Sequence, residues 1–524
     1  MTPKAYFVGG GIASLAGAAY LIHAGGIPGE SITIFEESGT LGGSLDGQGS
    51  PEDGYIMRGG RMFTDEAYTC TYDLMSFIPS LSNPKETVRD EMRLFNEEVH
   101  SHSHARLVAD GHKLETSAMG FSARDRRDLL ELFALSEASL GAKRIEDYFE
   151  PAFFKTPFWY MWCTTFAFQP WHSLVEFKRY CHRFLQEFHR INTLGGVKRT
   201  PLNQHDSLVL PLMKWLGSHD VRFARDCQVS DLDLSYGPSG EGVERIHLTR
   251  GGEPEAVEVG PEDFVFVTNG SMTAASSFGT MTSPAPLLGP DAAGGSWALW
   301  ETLAKKDASF GRPSVFSSHV AESSWLSFTT TLSDPAFFNL MERFTGNSAG
   351  TGGLVTFPHS NWLMSIVLAH QPHFLHQPEG VSVFWGYGLF PNQPGNHVKK
   401  KMSECSGREI MTELCHHLGF NEYLPLILQT ANCIPCRMPY ITSQFLPRVP
   451  GDRPQVRPTG TTNLAFIGQF CEIPDDVVFT VEYSVRSAQT AVFSLLGLDK
   501  QVSPLYKGQQ DPSVLLGAVR TLLT

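Results

Sequence analysis

The fold is decided by the run Ala5-Tyr6-Phe7-Val8-Gly9-Gly10-Gly11-Ile12-Ala13-Ser14, in which a short apolar segment meets three consecutive glycines. A second apolar segment and a second glycine pair follow, as Ile32-Thr33-Ile34-Phe35-Glu36 and Leu41-Gly42-Gly43-Ser44. This order predicts a strand, a glycine turn, an Ala-rich helix, a second strand that ends in a carboxylate, and a second glycine turn. It is the order of a Rossmann-type dinucleotide-binding unit.

Each part of this unit has a physical role. Gly9 is expected at the tight turn after the first strand, where φ is positive. Gly11 is expected to let the backbone approach a pyrophosphate at the free N–H groups of the helix N-terminus. Ser14 stands where a third glycine is usual, and it is small enough for close packing of the helix on the sheet. Glu36 is placed to bind a pair of ribose hydroxyls.

The same residues favour FAD as the cofactor. A carboxylate at Glu36 disfavours a 2′-phosphate, which argues against NADP. The second glycine pair is similar to the longer fingerprint of the two-dinucleotide-binding flavoproteins. The alternative is a glycine-rich turn in a Rossmann-like domain that holds no cofactor. The predicted cofactor-binding residues of this region are Gly9, Gly11, Ala13, Ser14, Glu36, Gly43 and Ser44.

Composition limits the class of protein. A chain of 524 residues is expected to form two or three domains. The net charge of −14 argues against a nucleic-acid partner, which would need a basic face. The nine cysteines lack framework spacing and predict a reducing cytoplasm. No apolar run reaches the roughly 20 residues that span a bilayer, and the first strand leaves no room before it for a signal peptide.

The nucleotide-binding domain is predicted to be discontinuous. Residues 264–271 and 464–470 each read as a buried strand that ends at a glycine, and residues 478–496 as a helix that closes on the cofactor. Residues 221–223 and 243–259 are interpreted as strands of a small separate sheet. Further predicted cofactor contacts in these segments are Asn269, Ser271, Gly468 and Gln469.

The predicted fold class is α/β. It combines a Rossmann-type two-dinucleotide-binding FAD domain with an α+β substrate domain, a helical lid region and a C-terminal helical tail. The FAD domain is assigned to residues 1–60, 201–300 and 455–497. The substrate-binding and lid regions are assigned to residues 61–200 and 301–454, and the tail to residues 498–524.

Three further segments bear on ligands. Residues 153–171 carry nine aromatic side chains, which predict either a well-packed core or an apolar tunnel for a long hydrocarbon. Residues 512–524 have apolar side chains at helical spacing, which predict docking on the protein or, alternatively, peripheral contact with the inner face of a membrane. The single pair Cys433 and Cys436 is interpreted as buried and reduced rather than as a zinc or redox motif, and no metal site is predicted.

Several longer blocks resemble one family. They include Arg58-Gly59-Gly60-Arg61-Met62, Asn203-Gln204-His205-Asp206-Ser207 and Gln371-Pro372-His373-Phe374, together with residues 158–173, 383–389 and 478–486. From the first strand to the last helix, these blocks resemble the oleate hydratases, a family once called myosin-cross-reactive antigens. The resemblance implies that Gly59, Gly60 and Arg61 face the flavin.

The resemblance implies a hydro-lyase that adds water to the cis-9 double bond of oleic acid and gives 10-hydroxystearic acid without net redox change. An isolated alkene is unpolarised, so this chemistry needs an acid at one carbon, a water at the other and electrostatic support for the cation. The family's proton-donating tyrosine corresponds to Tyr180. Its water-activating glutamate corresponds to Met62, whose thioether accepts no proton at neutral pH. Either Asp65 or Glu66 is expected to substitute, or backbone carbonyls and the flavin orient the water.

The resemblance also implies a site for the carboxylate of a long-chain unsaturated fatty acid. Gln204 and His373 match two of the family's four headgroup residues. Val367 and Ala369 stand where the family has a threonine and an asparagine, and their side chains form no hydrogen bond to a carboxylate. His370 is expected to compensate. Family members often carry an N-terminal helical extension used in dimerisation, and this chain begins on its first strand, which predicts a monomer.

Two other function classes stay open at this point. The first is a flavin-dependent oxidoreductase or double-bond isomerase that acts on a long-chain lipid, which the nucleotide fingerprint alone would favour. The second is a lipid-binding protein in which the flavin is structural. The mass of the product separates the first class from hydration, because only hydration adds water. Retained fatty acid without any product would indicate the second class.

Overall fold

A computed structural model describes residues 2–60, 62–237, 240–289, 292 and 294–523. The strands in these ranges are β1 (Ala5–Val8), β2 (Ile32–Phe35), β3 (Gly47–Ser50), β4 (Gly54–Met57), β5 (Val108–Ala109), β6 (His112–Lys113), β7 (Arg222–Ala224), β8 (Cys227–Gly237), β9 (Gly240–Arg250), β10 (Glu253–Glu258), β11 (Phe264–Thr268), β12 (Ser277–Phe278), β13 (Trp325–Leu332), β14 (Leu354–Thr356), β15 (Met364–Leu368), β16 (Ser382–Gly388), β17 (Ala431–Met438) and β18 (Leu464–Ile467).

The α-helices in the same ranges are α1 (Ile12–His23), α2 (Thr69–Met75), α3 (Val88–Glu98), α4 (Ala123–Ala134), α5 (Glu137–Leu140), α6 (Pro157–Phe166), α7 (Leu174–Arg183), α8 (Leu210–Ser218), α9 (Gly295–Lys306), α10 (Ser314–Ser317), α11 (Val320–Ser323), α12 (Ala336–Thr345), α13 (Gly407–Leu418), α14 (Leu424–Thr430), α15 (Val481–Leu495) and α16 (Pro512–Leu523). Among the described residues, no helix combines the length and the apolar character that crossing a bilayer requires.

Five parallel strands from distant parts of the chain form the Rossmann-type sheet. Their spatial order is β7-β2-β1-β11-β18. Counted along the chain this order is third, second, first, fourth and fifth, which matches the first five positions of the Rossmann strand order 3-2-1-4-5-6. The strands β1, β11 and β18 are nearly continuous apolar runs, because a parallel sheet is covered on both faces. The predicted α/β class with a Rossmann-type domain is confirmed.

One strand assignment made from the sequence is wrong. Residues 221–223 were expected in a small separate sheet, but β7 pairs in parallel with β2 at the edge of the five-stranded sheet. The backbone N–H of Glu36 extends this pairing by donating to the Ala224 carbonyl at 2.9 Å. The small sheet itself exists as the antiparallel order β10-β9-β8 and contains most of the predicted segment 243–259. A three-residue edge strand is too short to reveal its partner in the sequence.

A six-stranded antiparallel sheet, in the order β12-β17-β13-β16-β15-β14, forms the other large layer. The hairpin of β3 and β4 packs on its strand β13. There the N–H groups of Tyr55 and Met57 donate to the hydroxyls of Thr331 and Thr329, at 2.8 and 3.1 Å. These bonds fix β4 against the six-stranded sheet. Residues 58–60, which directly follow β4, therefore lie between that sheet and the five-stranded sheet.

The aromatic segment 153–171 is mainly core. Helix α6 begins at the cap residue Thr156, whose hydroxyl accepts the N–H of Trp159 at 3.1 Å, and it ends at Ala167 with φ of +63°. The rings of Phe158 and Trp162 stack with centroids 5.4 Å apart, and both side chains are fully buried. Among the nine aromatic side chains, Phe166 lines the apolar cavity described below.

The C-terminal helix α16 docks on the protein through one face. Ala518 and Leu522 are buried, whereas the apolar side chains Leu515, Leu516, Val519 and Leu523 are exposed. Docking on the protein is therefore one of its roles, and peripheral contact with a membrane through the exposed face stays a prediction.

Cys433 and Cys436 lie in β17 and are both buried and free. They are three residues apart in a strand, so their side chains point to opposite faces of the sheet. Each packs into a different apolar cluster. Over the part of the chain that the structure describes, no group of three or more His, Cys, Asp or Glu side chains is arranged to hold a metal ion.

Candidate active site

The dinucleotide cleft lies at the carboxyl ends of the parallel strands, where open α/β sheets bind ligands. Its volume is about 290 Å³, at the lower end of the roughly 300–1,000 Å³ of typical small-ligand pockets. It is formed by the turn after β1 and by the ends of β2, β11 and β18. The predicted residues that line it are Gly9, Gly11, Ala13, Glu36, Gly43, Ser44, Ser271, Gly468 and Gln469.

The two turns require glycine because neighbouring atoms approach their backbone closely. Gly9 has φ of +94°, which suits a tight turn after β1. A Cβ at Gly10 would lie 2.3 Å from the Leu41 side chain, and one at Gly43 would lie 3.1 Å from the Cα of Gly11. Gly11 caps α1 without a side-chain hydrogen bond. The first N–H groups of α1 are therefore available to an anion in the cleft.

Glu36 lies in the cleft and Ser14 does not. The Oε2 atom of Glu36 accepts the N–H of Gly10 at 2.6 Å, while its Oε1 atom accepts both the N–H and the hydroxyl of Ser38 at 2.8 Å. Ser14 is fully buried, and its Oγ lies 3.3 Å from Oγ1 of Thr268. Ser14 thus joins α1 to the end of β11, in agreement with a packing role.

The residues in and beside this cleft suit a dinucleotide. Both side-chain amide atoms of Asn269 are buried without a hydrogen-bond partner, between Thr268 and Gly270, which line the cleft. Buried polar atoms of native proteins are rarely left unpaired, so these atoms indicate a ligand. A second indication is the N-terminus of α1, whose N–H groups have no side-chain cap and can bind an anion such as a pyrophosphate.

Two residues of the cleft had no individual role assigned from the sequence. Arg58 and Asp46 both line it, and they form a bidentate ion pair in which each of the two N···O distances is 2.7 Å. The position of Arg58 immediately before Gly59 and Gly60 was the available signal. Gly59 and Gly60 themselves line the two spaces described next. Arg61, which the resemblance places at the flavin, lies outside the described residues.

The second space, here called the apolar cavity, has a volume of about 100 Å³. Aliphatic and aromatic side chains enclose most of it, among them Phe166, Phe184, Ile191, Leu194, Trp325, Trp385 and Phe479. The predicted residues Tyr180 and Met62 both line it. The structure therefore brings the predicted proton donor and the position of the family glutamate into one cavity.

Tyr180 is held at the wall of this cavity by α7. Its side chain is 1% exposed, and its hydroxyl donates to the carbonyl of Val478 at 2.5 Å. The next residue, Phe479, has φ of +71°, an uncommon conformation for a residue with a bulky side chain. The N–H of Phe479 donates to Oε1 of Gln469 at 2.5 Å. One strained turn thus connects Tyr180 to a residue of the dinucleotide cleft.

Asp65 and Glu66 are both paired with basic side chains outside the apolar cavity. The Asp65 side chain is 69% exposed and pairs with Lys198 at 3.5 Å. Glu66 pairs with Arg190 at 3.3 Å, and neither carboxylate lines the apolar cavity. The carboxylate that does line it is Glu187, whose two oxygens lie 2.5 and 3.0 Å from nitrogens of Arg190. Burial raises the pKa of Glu187 although Arg190 opposes the shift.

The third space, here called the polar pocket, is small, with a volume of about 40 Å³. Gln204 and His373 line it, as do Val367, Ala369 and His370. Both amide atoms of Gln204 and the Nδ1 atom of His373 are buried without a partner. Burial, followed by the nearby positive charge of Arg199, lowers the pKa of His373 to about 4. His373 is therefore a neutral hydrogen-bonding group at neutral pH.

The three spaces meet at residues 58–60. Gly59, Gly60 and Trp385 line both the apolar cavity and the polar pocket. Arg58 lines both the cleft and the apolar cavity, and Asp46 lines both the cleft and the polar pocket. The polar pocket and the apolar cavity are thus neighbours beside the cleft, an arrangement that suits an amphipathic ligand with a polar end and a long apolar body.

Comparison with known proteins identifies the family of this chain. A family model described as the MCRA family matches residues 2–493. The chain is 40% identical to an oleate hydratase of Streptococcus pyogenes serotype M49 (strain NZ131) over 529 residues, which covers 98% of this chain and 89% of that protein. It is 33% identical to a linoleate hydratase of Lactiplantibacillus plantarum over 564 residues, which covers 99% of this chain and 98% of that protein.

Solved structures with a similar fold are enzymes of low sequence identity. A cyclohexylamine oxidase from Brevibacterium oxydans IH-35A is 13% identical with a TM-score of 0.55, covering 95% of this chain and 99% of that one. An oxidoreductase from Methanosarcina mazei is 12% identical with a TM-score of 0.51, covering 94% of this chain and 100% of that one. At these identities the similarity extends to the fold alone.

Proposed function

This chain belongs to the MCRA family, and from that membership we propose that it is a fatty acid hydratase. It adds water to the cis-9 double bond of oleic acid and similar unsaturated fatty acids, and oleic acid gives 10-hydroxystearic acid. The observation that carries the proposal is the junction at residues 58–60, where a polar pocket, an apolar cavity containing Tyr180 and a dinucleotide cleft share walls. We place the carboxylate of the fatty acid in the polar pocket and its hydrocarbon chain in the apolar cavity.

FAD is the proposed cofactor. The residues that would hold it are the glycine turns at Gly9–Gly11 and Gly43, the carboxylate of Glu36, Asn269 with its unpaired amide, and Gln469. When bound, it supplies the hydrogen-bonding groups of its ring system, and the net reaction leaves its oxidation state unchanged. Absorbance spectra of the purified protein test this assignment. A protein that stays colourless after incubation with FAD would contradict it.

Tyr180 is the proposed proton donor. Its Oη proton transfers to one alkene carbon as the π bond breaks, and the water oxygen bonds to the other carbon. A phenol is a weak acid, with an ordinary pKa near 10, so the two events must be closely coupled. Trp325, Trp385 and Phe166 line the same cavity. We propose that their rings stabilise the developing positive charge through cation–π attraction.

Glu187 is the proposed acceptor of the proton that the attacking water releases. Among the described residues that line the apolar cavity, Glu187 is the one with a carboxylate. Its raised pKa makes it a stronger base than an exposed glutamate. The Met62 thioether excludes the direct route that the family glutamate would offer. The proton balance closes when the proton returns from Glu187 to the Tyr180 phenolate through solvent, leaving alkene plus water as alcohol.

The experiment that tests the proposed function is incubation of the full chain with oleate in heavy-oxygen water. Hydration predicts a product that is heavier than oleate by one labelled water, with the label on the new hydroxyl group. A product that has lost hydrogen would indicate an oxidoreductase, and a product of unchanged mass would indicate an isomerase. Either result would overturn the proposal.

A further inference from the structure

The polar pocket contains a positive charge that neither the sequence motifs nor the family resemblance assigns. Arg199 lines this pocket with Gln204 and His373. Its Nε and Nη2 atoms are buried and have no hydrogen-bond partner. Among the described residues, no carboxylate lies within ion-pair distance of it. Buried charges in proteins are normally paired, so an unpaired guanidinium in a pocket indicates an anionic ligand.

The two unpaired atoms define the kind of anion. Nε and Nη2 form one edge of the planar guanidinium, and their N–H groups point in parallel. That edge matches the two oxygens of a carboxylate and forms two parallel hydrogen bonds with it. The pocket therefore presents the donor geometry that a fatty acid headgroup requires.

The backbone at Arg199 is fixed from both sides. The side chain of Asn96 accepts the N–H of Arg199 at 2.9 Å and donates to its carbonyl at 2.7 Å. The preceding residue, Lys198, exchanges two backbone hydrogen bonds with Phe63, at 2.8 and 2.9 Å. Phe63 directly follows Met62, so the same segment connects the polar pocket to the apolar cavity.

Two other basic groups near the pocket do not provide this charge. Arg58 is neutralised by its bidentate pair with Asp46. His373 is neutral at neutral pH because burial and Arg199 lower its pKa to about 4. Burial also lowers the pKa of Arg199, to about 10, and the guanidinium stays protonated at neutral pH.

We propose that Arg199 is the counter-ion of the substrate carboxylate, binding it through Nε and Nη2 while Gln204 and His373 supply further hydrogen bonds. This inference rests on the proposed function, since it takes a fatty acid as the ligand. It also accounts for Val367 and Ala369 in the same pocket, because a bidentate arginine makes up for the two hydrogen-bonding side chains that the resemblance leads one to expect there.

A charged clamp predicts selectivity for the ionised headgroup. A neutral headgroup leaves the buried guanidinium unpaired, whereas a carboxylate neutralises it. In the wild-type chain we expect oleate to bind more tightly than oleyl alcohol by about 10- to 150-fold, the effect of a hydrogen bond to a charged group. Equal affinity of the wild type for the two ligands would overturn the inference without any variant.

The variant that tests the residue is Arg199→Met, with equilibrium binding of oleate and oleyl alcohol measured by calorimetry on the full chain. We expect oleate affinity to fall by about 10- to 150-fold and oleyl alcohol affinity to change little. In turnover assays KM for oleate should rise while kcat stays close to the wild-type value. Arg199→Lys keeps the charge but loses the fork, so its loss of oleate affinity should be smaller.

The matched control is Lys198→Met, which removes one positive charge from the neighbouring residue. Lys198 pairs with the exposed Asp65 and does not line the pocket, so oleate affinity should be unchanged. Equal weakening of both ligands by Arg199→Met would show a structural role only and would overturn the inference. Headgroup selectivity without any hydroxylated product would instead refute the proposed hydration and leave the role of Arg199 intact.

Discussion

Replacing Tyr180 by phenylalanine separates the chemistry of the phenol from its packing. The ring lies among Phe166, Phe168 and Phe445, with centroid distances of 5.0 to 5.6 Å. Phenylalanine keeps all of these contacts. The loss of folding free energy is therefore limited to hydrogen bonds of the hydroxyl, such as the one to Val478, at about 0.5–1.5 kcal/mol each.

The expected loss of activity is much larger than this loss of stability. A positioned general acid typically contributes about 10²- to 10⁴-fold to the rate. We expect kcat for oleate hydration by Tyr180→Phe to fall by that factor, with binding of oleate nearly unchanged. The assay is formation of labelled 10-hydroxystearate in heavy-oxygen water, followed by mass spectrometry, alongside thermal unfolding and calorimetric binding.

Tyr148→Phe is the matched control. The hydroxyl of Tyr148 also donates to a backbone carbonyl, that of Asp128 at 3.1 Å, but Tyr148 does not line the apolar cavity. The control deletes the same atom and should keep wild-type activity. If Tyr180→Phe hydrates oleate at the full rate, or if both variants lose activity equally, Tyr180 is not the proton donor.

Three further variants test the rest of the site. Met62→Glu should raise turnover about tenfold or more by restoring a base beside the cavity, and unchanged turnover would show that position 62 does not face the reaction centre. Glu187→Gln should lower kcat by at least about 10²-fold; because burial raises the pKa of Glu187, wild-type activity should fall as the pH decreases through that raised pKa, and a pH profile without this acid limb would argue against its role as a base. Glu176 is buried against Arg448 and Arg453, whose charges outweigh its burial and lower its pKa to about 2. Glu176→Gln should therefore lower the free energy of unfolding at neutral pH by about 3–5 kcal/mol. The difference in unfolding free energy between variant and wild type should shrink as the pH falls from 4.5 towards 2. A difference that does not depend on pH would exclude the ion pairs as its cause.

Features with a local physical signal could be predicted from the sequence. The glycine turn between β1 and α1 is one, since steric limits on φ and on backbone approach leave glycine as the residue that fits at Gly9 and Gly10. The buried strands β11 and β18 are others, because a parallel sheet covered on both faces requires apolar runs. The edge strand β7 was misassigned, since three residues carry no periodicity and its pairing with β2 depends on distant chain segments.

The functional residues divide in the same way. Tyr180 and Met62 lie within or next to long recognisable blocks, and the structure places both in the apolar cavity. Asp65 and Glu66 were expected there because they follow Met62 closely in sequence, but their side chains point to Lys198 and Arg190 instead. Proximity along a chain does not determine the direction in which a loop side chain points.

By itself, the sequence determined the Rossmann-type class, the two glycine turns, the carboxylate Glu36 at the end of the second strand, and the family to which the chain belongs. Those properties depend on neighbouring residues and on residue type. Only the tertiary structure decided that Glu187 lines the apolar cavity and that Arg199 stands unpaired beside Gln204 and His373. The reason is that burial and charge pairing are set by segments that meet only after folding. The sequence therefore does not show that the Arg199 guanidinium is buried without a hydrogen-bond partner at Nε and Nη2.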